Sequence, residues 1–277
     1  MIKSVQNYYE SLGSRLGYKF LLKGSQHFGY YPNPDGAKIS EQEAQEHHHN
    51  ILAKNLELKQ GMNILDAGCG QGFVSCSLVQ KHDVHITGID ITPYIIKQAK
   101  KRSKKLNVEN RTKFILADYH RLPFKDNSFD RIYTVETLCH AQNLAQVIRE
   151  FKRMLKPGGK IVCIEYLNKN KSEFTAEEQK IVDIIIKGTC SPSLQLLSKN
   201  SFQNILSESG FRGLKCTDIS ANFRPSLERF YRMAKIPYAM LKFLGIHKKF
   251  VNMVIAVESY KMAQKKLIGY AIYSAWK

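Results

Sequence analysis

The stretch LDAGCGQGF, residues 65–73, decides how the rest of the chain is read. Apolar residues run into Asp66, and glycines at 68, 70 and 72 then carry the chain into an apolar helical segment from Phe73. A turn of this kind lets the backbone approach a ligand closely and aims free amide groups at it. The spacing G-x-G-x-G differs from the dinucleotide fingerprint G-x-G-x-x-G. Taken alone, the glycines fit a tight turn with no ligand equally well. Two further carboxylates shift the balance. Asp90 ends the next apolar run in TGIDIT, and Asp118 follows the one after it in LADYHRLPF. Acids at three successive strand ends converge on one crevice at the carboxyl edge of a parallel sheet, where a carboxylate can bond ribose hydroxyls.

Outward from this turn the chain alternates. Strands are expected at Asn63–Ala67, Val84–Ile89, Lys113–Leu116, Arg131–Val135 and Lys160–Tyr166, with helices at Phe73–Lys81, Pro93–Leu106 and Leu144–Leu155 between them. Such alternation implies an α/β fold, a parallel sheet covered on both faces. A helix is expected before it at Glu41–Leu58, after an irregular amino arm, and another at Ser201–Ser209, capped by Gly210. Strands at Leu214–Ser220 and Ile268–Trp276 close the set. The segment between these last two strands shows helical periodicity at Leu227, Tyr231, Ala234 and Tyr238, and reads as a lid or cap. The expected division is an arm and helix at 1–60, an α/β core at 61–220, a basic and aromatic cap at 221–266 and a final strand at 267–277.

The 277 residues include 42 Lys and Arg against 24 Asp and Glu, a net charge of +18. Half of that excess falls in residues 221–277, with 11 basic and 2 acidic residues, and Lys97–Lys105 adds six more basic side chains. A polyanionic partner, an anionic membrane surface or a merely solubilising surface would each account for it. The six cysteines show no CxxC pair and no zinc spacing, so they read as reduced packing thiols and no metal is expected. His47, His48 and His49 point in three directions on a helix and are expected on its solvated surface. No apolar run reaches the length of a membrane span and the amino end lacks a signal-peptide pattern. The expected location is cytoplasmic, with peripheral membrane contact through the basic cap left open.

The sheet region resembles the class I S-adenosylmethionine-dependent methyltransferases, through the glycine turn, LPFKDNSFDRIY at 122–133 and LKPGGKI at 155–161. The resemblance implies a seven-stranded doubly wound, Rossmann-like sheet, mostly parallel with the last strand antiparallel. It also implies S-adenosylmethionine as cofactor. Gly68, Cys69 and Gly70 would line its methionine end with Asp66 beneath, Asp90 and Ile91 would meet the ribose, and Asp118 with Tyr119 would frame the adenine. Val135, ending strand four, would border the same site.

Within that class, VETLCHA at 135–141 resembles the EATCHA segment of sterol C24-methyltransferases, and the likeness extends to SQHFGYY at 25–31 and LKPGGKIVCIEY at 155–166. This places the chain in the sterol and tocopherol methyltransferase-like branch. It departs from that branch at IIKGTCSPS, residues 185–193, where those enzymes have an acidic, glycine-rich segment, and in its far more basic cap. Methylation of an alkene carbon produces a carbocation, which needs aromatic faces to stabilise it and a base to take a proton. Glu136 and His140, four residues apart, would share one helical face and are the expected catalytic pair. Tyr8, Tyr9, Phe28, Tyr30 and Tyr31 from the arm, with Glu165 and Tyr166 ending strand five, are expected around the substrate. The expected acceptor is an isoprenoid or sterol-like lipid, including a prenyl diphosphate. A nitrogen or oxygen acceptor on a small natural product stays open. Nucleic-acid binding is disfavoured, because strand four ends without the Asn-Pro-Pro-Tyr type of motif and the cap has no recognised RNA-binding motif.

Overall fold

A computed structural model describes residues 2–10, 25, 27–36, 38–247 and 250–277. Seven strands form one sheet: β1 (Asn63–Ala67), β2 (His85–Asp90), β3 (Thr112–Leu116), β4 (Phe129–Val135), β5 (Leu155–Asn168), β6 (Arg212–Asp218) and β7 (Ile268–Trp276). Their order is β3-β2-β1-β4-β5-β7-β6. β7 slots between β5 and β6 and runs antiparallel to both, while the first five strands pair in parallel. This is the sheet that the resemblance implied.

Strand alternation sends successive side chains to opposite faces. Leu65, Ile132 and Ile161 pack on one side, where α5 (Leu144–Met154) and α7 (Lys199–Glu208) cover them with Phe151 and Phe202. Ile64, Tyr133 and Val162 pack on the other, under α2 (Glu41–Leu56), α3 (Phe73–Lys81), α4 (Pro93–Lys105) and the start of α8 (Ser220–Phe243). The remaining described helices are α1 (Ile2–Glu10), α6 (Ala176–Thr189), α9 (Val251–Val254) and α10 (Tyr260–Gln264), with a π-helical turn at Ile255–Ser259 joining the last two. Val182 and Ile185 of α6 meet Ala234 and Tyr238 of α8 and Val254 of α9 in a small separate core beyond the strand ends.

Several boundaries move for local reasons. Helix α2 stops at Leu56 instead of Leu58 because Glu57 turns left-handed, at φ 52°. Strand β5 begins at Leu155, which pairs with Phe129, and the ladder shifts register before Lys160. The amino arm is helical over Ile2–Glu10; its residues 11–24, and Gln26 of SQHFGYY, lie outside the described set. Helix α6 was not anticipated, although its capping box is written in the sequence: the Thr175 hydroxyl accepts from the Glu178 amide, and the Glu178 carboxylate accepts from the Thr175 amide.

The histidine run corrects a second expectation. His48 and His49 are buried, because the arm lays His27 across them. His27 Nε2 lies 3.1 Å from His49 Nε2, and His27 Nδ1 lies 3.0 Å from His48 Nδ1. Burial, and the neighbouring histidines, push the pKa of His27 far down, and burial takes His48 to about 3, so these two rings of the clasp are neutral.

Candidate active site

Gly68 and Cys69 leave β1 with both amides donating to the Ile89 carbonyl, at 2.9 and 2.8 Å, which folds the turn tightly against β2. Gly68 sits at φ +90°, and a Cβ there would fall inside the Thr137 side chain. Only glycine fits that conformation and that space. The turn opens onto a cavity of about 300 Å³. Every residue expected at the cofactor lines it: Asp66, Gly68, Cys69, Gly70, Asp90, Ile91, Asp118, Tyr119 and Val135.

Of the acids there, Asp66 is buried, Asp90 and Asp118 are half-buried, and each has a hydrogen-bond partner. The Ser75 and Tyr133 hydroxyls both donate to Asp66 Oδ2, and burial pushes the carboxyl up to about 7. Asp90 accepts the Thr92 amide at 2.8 Å and is pushed by burial to about 6. Asp118 Oδ1 accepts from the His120 amide, at 2.9 Å, and lies 2.6 Å from the His120 Nδ1. The arm closes one side, where Gln6 donates to the Ile91 carbonyl at 2.6 Å and Val5 and His27 reach the cavity wall.

A second cavity of about 200 Å³ adjoins the first and shares Tyr9, Glu136 and His140 with it. Aromatic side chains of Tyr8, Phe28, Tyr166 and Phe230 wall it, and Val182 and Ile185 of α6 close the far side. Glu136 marks the junction. Its backbone is left-handed, at φ +53°, an uncommon conformation for a residue with a side chain. The Phe28 amide at 2.8 Å and the Tyr270 hydroxyl at 2.6 Å both donate to its Oε1, and burial pushes the carboxyl up to about 8. His140 Nδ1 faces the Cys190 carbonyl at 3.1 Å, and a carbonyl only accepts, so that nitrogen carries the proton. Nε2, at 2.8 Å from the Tyr9 hydroxyl, is then the acceptor, and burial lowers the pKa of the ring.

Glu136 and His140 do meet at one place, although a single turn of three residues, Leu138–His140, carries the histidine instead of an α-helix. Tyr8, Tyr9, Phe28 and Tyr166 reach the second cavity. Tyr30, Tyr31 and Glu165 line neither. Tyr30 packs against the core below α2. Tyr31 is buried with its hydroxyl donating to Glu41 at 3.0 Å. Glu165 points to the opposite face from Tyr166, as period-two alternation requires, and its Oε1 accepts the amides of Thr137 and Leu138 at 3.0 Å each. It braces the turn that presents Glu136. Sequence reading missed Tyr270, the Glu136 clamp, which is paired directly with Tyr166 across the β5–β7 ladder. It also missed Phe230, in spite of the α8 periodicity that places it beside Leu227.

Among the described residues lining either cavity there is no Lys or Arg, in a chain of net charge +18. Acids without a Lys or Arg partner, beside a glycine turn that brings the backbone close, suit a ligand that carries its own positive charge. S-adenosylmethionine, with its sulfonium and its amino-acid end, is such a ligand, and the residues present fit it.

Sheet order and crevice define a class I, S-adenosylmethionine-binding methyltransferase fold. The family model described as a methyltransferase domain matches residues 58–210. A curated relative, an S-adenosyl-L-methionine-dependent Diels-Alderase of Talaromyces variabilis, is 31% identical over 93% of this chain and 90% of its own length. A sterol 24-C-methyltransferase of Gibberella zeae is 38% identical over 43% of this chain and 32% of its own. Among solved structures, the 4+2 cyclase SpnF superposes with a TM-score of 0.78 at 23% identity, covering 99% of this chain and 94% of that one. The chain belongs to the methyltransferase domain family and is an S-adenosylmethionine-dependent methyltransferase.

Proposed function

We propose that this enzyme methylates an alkene carbon of a neutral isoprenoid or sterol-like lipid. The observation that carries this reading is the junction itself: the half-buried carboxyl of Glu136 stands between the cofactor crevice and an aromatic chamber lined, among the described residues, by no Lys or Arg. Among the described residues no Lys or Arg of that chamber would meet an anionic head such as a diphosphate, whose desolvation is costly. An apolar alkene has no such penalty.

In this reading Gly68, Cys69 and Gly70 hold the methionine end, Asp90 and Ile91 the ribose, and Asp118 with Tyr119 the adenine, bordered by Val135. When bound, the cofactor supplies an electrophilic methyl group on a cationic sulfonium. Transfer to one alkene carbon leaves positive charge on its neighbour, and loss of an adjacent proton restores a double bond. Phe28, Tyr166 and Phe230 present ring faces to that charge. Glu136 takes the proton. Alone, its carboxyl is mostly protonated at neutral pH, but a cation beside it favours the carboxylate. His140 holds Tyr9 against the junction and keeps water from the cation. Contact between the basic cap and an anionic membrane, the source of such an acceptor, belongs to the same reading.

Methyl-labelled cofactor, incubated with the protein and a mixed lipid extract, tests it. Base-stable label in a lipid product is expected, and base-labile label would move the acceptor to oxygen. Replacing Glu136 by Gln should stop product release as an alkene; wild-type turnover with unchanged products would remove Glu136 from the role.

The Diels-Alderase relative, matched along 93% of this chain, favours a second reading. The chamber would then fold a polyene for ring closure, with the cofactor unconsumed. Cyclised product without formation of S-adenosylhomocysteine would distinguish it.

A further inference from the structure

Helix α8 has two apolar faces. The inner one, with Leu227, Phe230, Ala234 and Tyr238, is buried, and through Phe230 it walls the acceptor chamber. On the outer one Met233, Ile236, Met240 and Phe243 recur at three- and four-residue spacing, and Leu244 and Phe250 continue the stripe past the helix end. All six are exposed, Phe243 to 92% and Ile236 to 66%. A continuous stripe of this size on a water-facing helix marks an interaction site.

The charges beside it say what covers it. Lys235 and Lys242 are exposed along the stripe. Arg232, also exposed, pairs with Glu228 at 2.6 Å. From Arg229 to Phe250 the sequence holds six Lys and Arg and no Asp or Glu. A second copy of the chain would oppose two cationic faces, whose neighbouring acid, Glu228, is already paired with Arg232. A phosphate backbone would satisfy the cations and leave Phe243 and Leu244 in water. An anionic bilayer surface meets both requirements, with apolar side chains entering the headgroup boundary and lysines meeting the lipid phosphates.

We propose that the outer face of α8 seats the enzyme on an anionic membrane, so that one helix contacts the bilayer on one side and walls the acceptor chamber on the other. No helix among the described residues is long and apolar enough to cross a membrane, so the contact is peripheral. The proposal deepens the lipid-acceptor reading, which it rests on only for its purpose. Its test needs no turnover.

Co-sedimentation with phosphatidylcholine vesicles, with and without phosphatidylglycerol, is the experiment. Binding is expected only with phosphatidylglycerol, weakening as salt rises. A protein carrying both Phe243→Asp and Leu244→Asp should bind about tenfold more weakly or less, since each change removes buried apolar area and adds like charge. Cofactor affinity, measured on the same preparations, should be unchanged and certifies folding. Wild type that ignores the anionic vesicles, or a double variant that binds them equally, overturns the proposal. So does a dimer in solution that the double variant dissociates, which would assign the face to a second copy.

Discussion

The two cavities share three residues and little else. The cofactor crevice is built from strand ends: Asp66 near the end of β1 and Gly68 just after it, Asp90 at the end of β2, Asp118 after β3 and Val135 at the end of β4. Its acids have partners at hydrogen-bond distance, and its backbone is locked by amides on the Ile89 carbonyl. The acceptor chamber sets the arm, α6, α8 and the π-helical turn against Tyr166 and Asn168 of β5 and Ile268 of β7. It is walled by ring faces and aliphatic side chains, which are non-directional. One cavity specifies a ligand by geometry, the other mainly by volume. A family can keep the first and change the second freely, because repacking apolar walls costs less than breaking paired polar ones.

That contrast can be broken most severely at Gly68. Substitution by Val should abolish measurable cofactor binding and destabilise the fold by about 3 kcal/mol or more, combining backbone strain with overpacking against Thr137. Calorimetric titration and thermal melting check both.

Next comes Glu136→Gln, the junction residue. Turnover should fall by about a hundredfold or more, in the range of lost general-base catalysis, while cofactor affinity stays close to wild type. Equal losses in both quantities would mean that the cavities are not separable at this residue.

Acidity sharpens the comparison further. Burial raises Asp66 to about 7, Asp90 to about 6, Glu136 to about 8 and Glu165 to about 7. Each folded-state value exceeds that of an unfolded carboxyl, near 4, so the folded chain binds more protons between these limits. The stability that neutral carboxyls confer is full below about pH 4 and is lost as pH rises through about 6 to 8. The melting temperature of the cofactor-free protein should therefore fall over that window. Cofactor binding at neutral pH should release protons, because a cation favours the carboxylates. Titration calorimetry in buffers of differing ionisation enthalpy measures the release, and proton uptake would contradict it.

The mildest test is Tyr31→Phe. It removes the hydroxyl on Glu41, so a loss of about 1–2 kcal/mol of stability is expected with turnover unchanged. A large loss of turnover would bring Tyr31 back to the substrate.

The crevice was legible in the sequence because its residues are consecutive with their strands; Asp66, Asp90 and Asp118 each sit within a few positions of a β-branched or apolar run. The sheet was legible for the same reason. The chamber was only partly so. Tyr270 reaches Glu136 across 134 positions, a pairing that register creates and local pattern does not announce. Tyr31 and Glu165 are the reverse case, since residue type suggested a cavity wall and strand parity or a buried carboxylate partner turned each away. Helix α6 was within reach, through Thr175 and Glu178, had its capping signature been weighed.

Strand β7 carries a consequence for how the enzyme comes into being. It is last in sequence but sits between β5 and β6, pairing with β5 from Lys160 to Asn168. During synthesis the cofactor turn leaves the ribosome first, while the edge of β5 waits unpaired, a template for mispairing. Tyr270 then arrives with β7 and clamps Glu136 in the same event that seals the sheet. An interrupted chain lacking this strand would keep the glycine turn and lose the hydrogen bond from Tyr270 to Glu136.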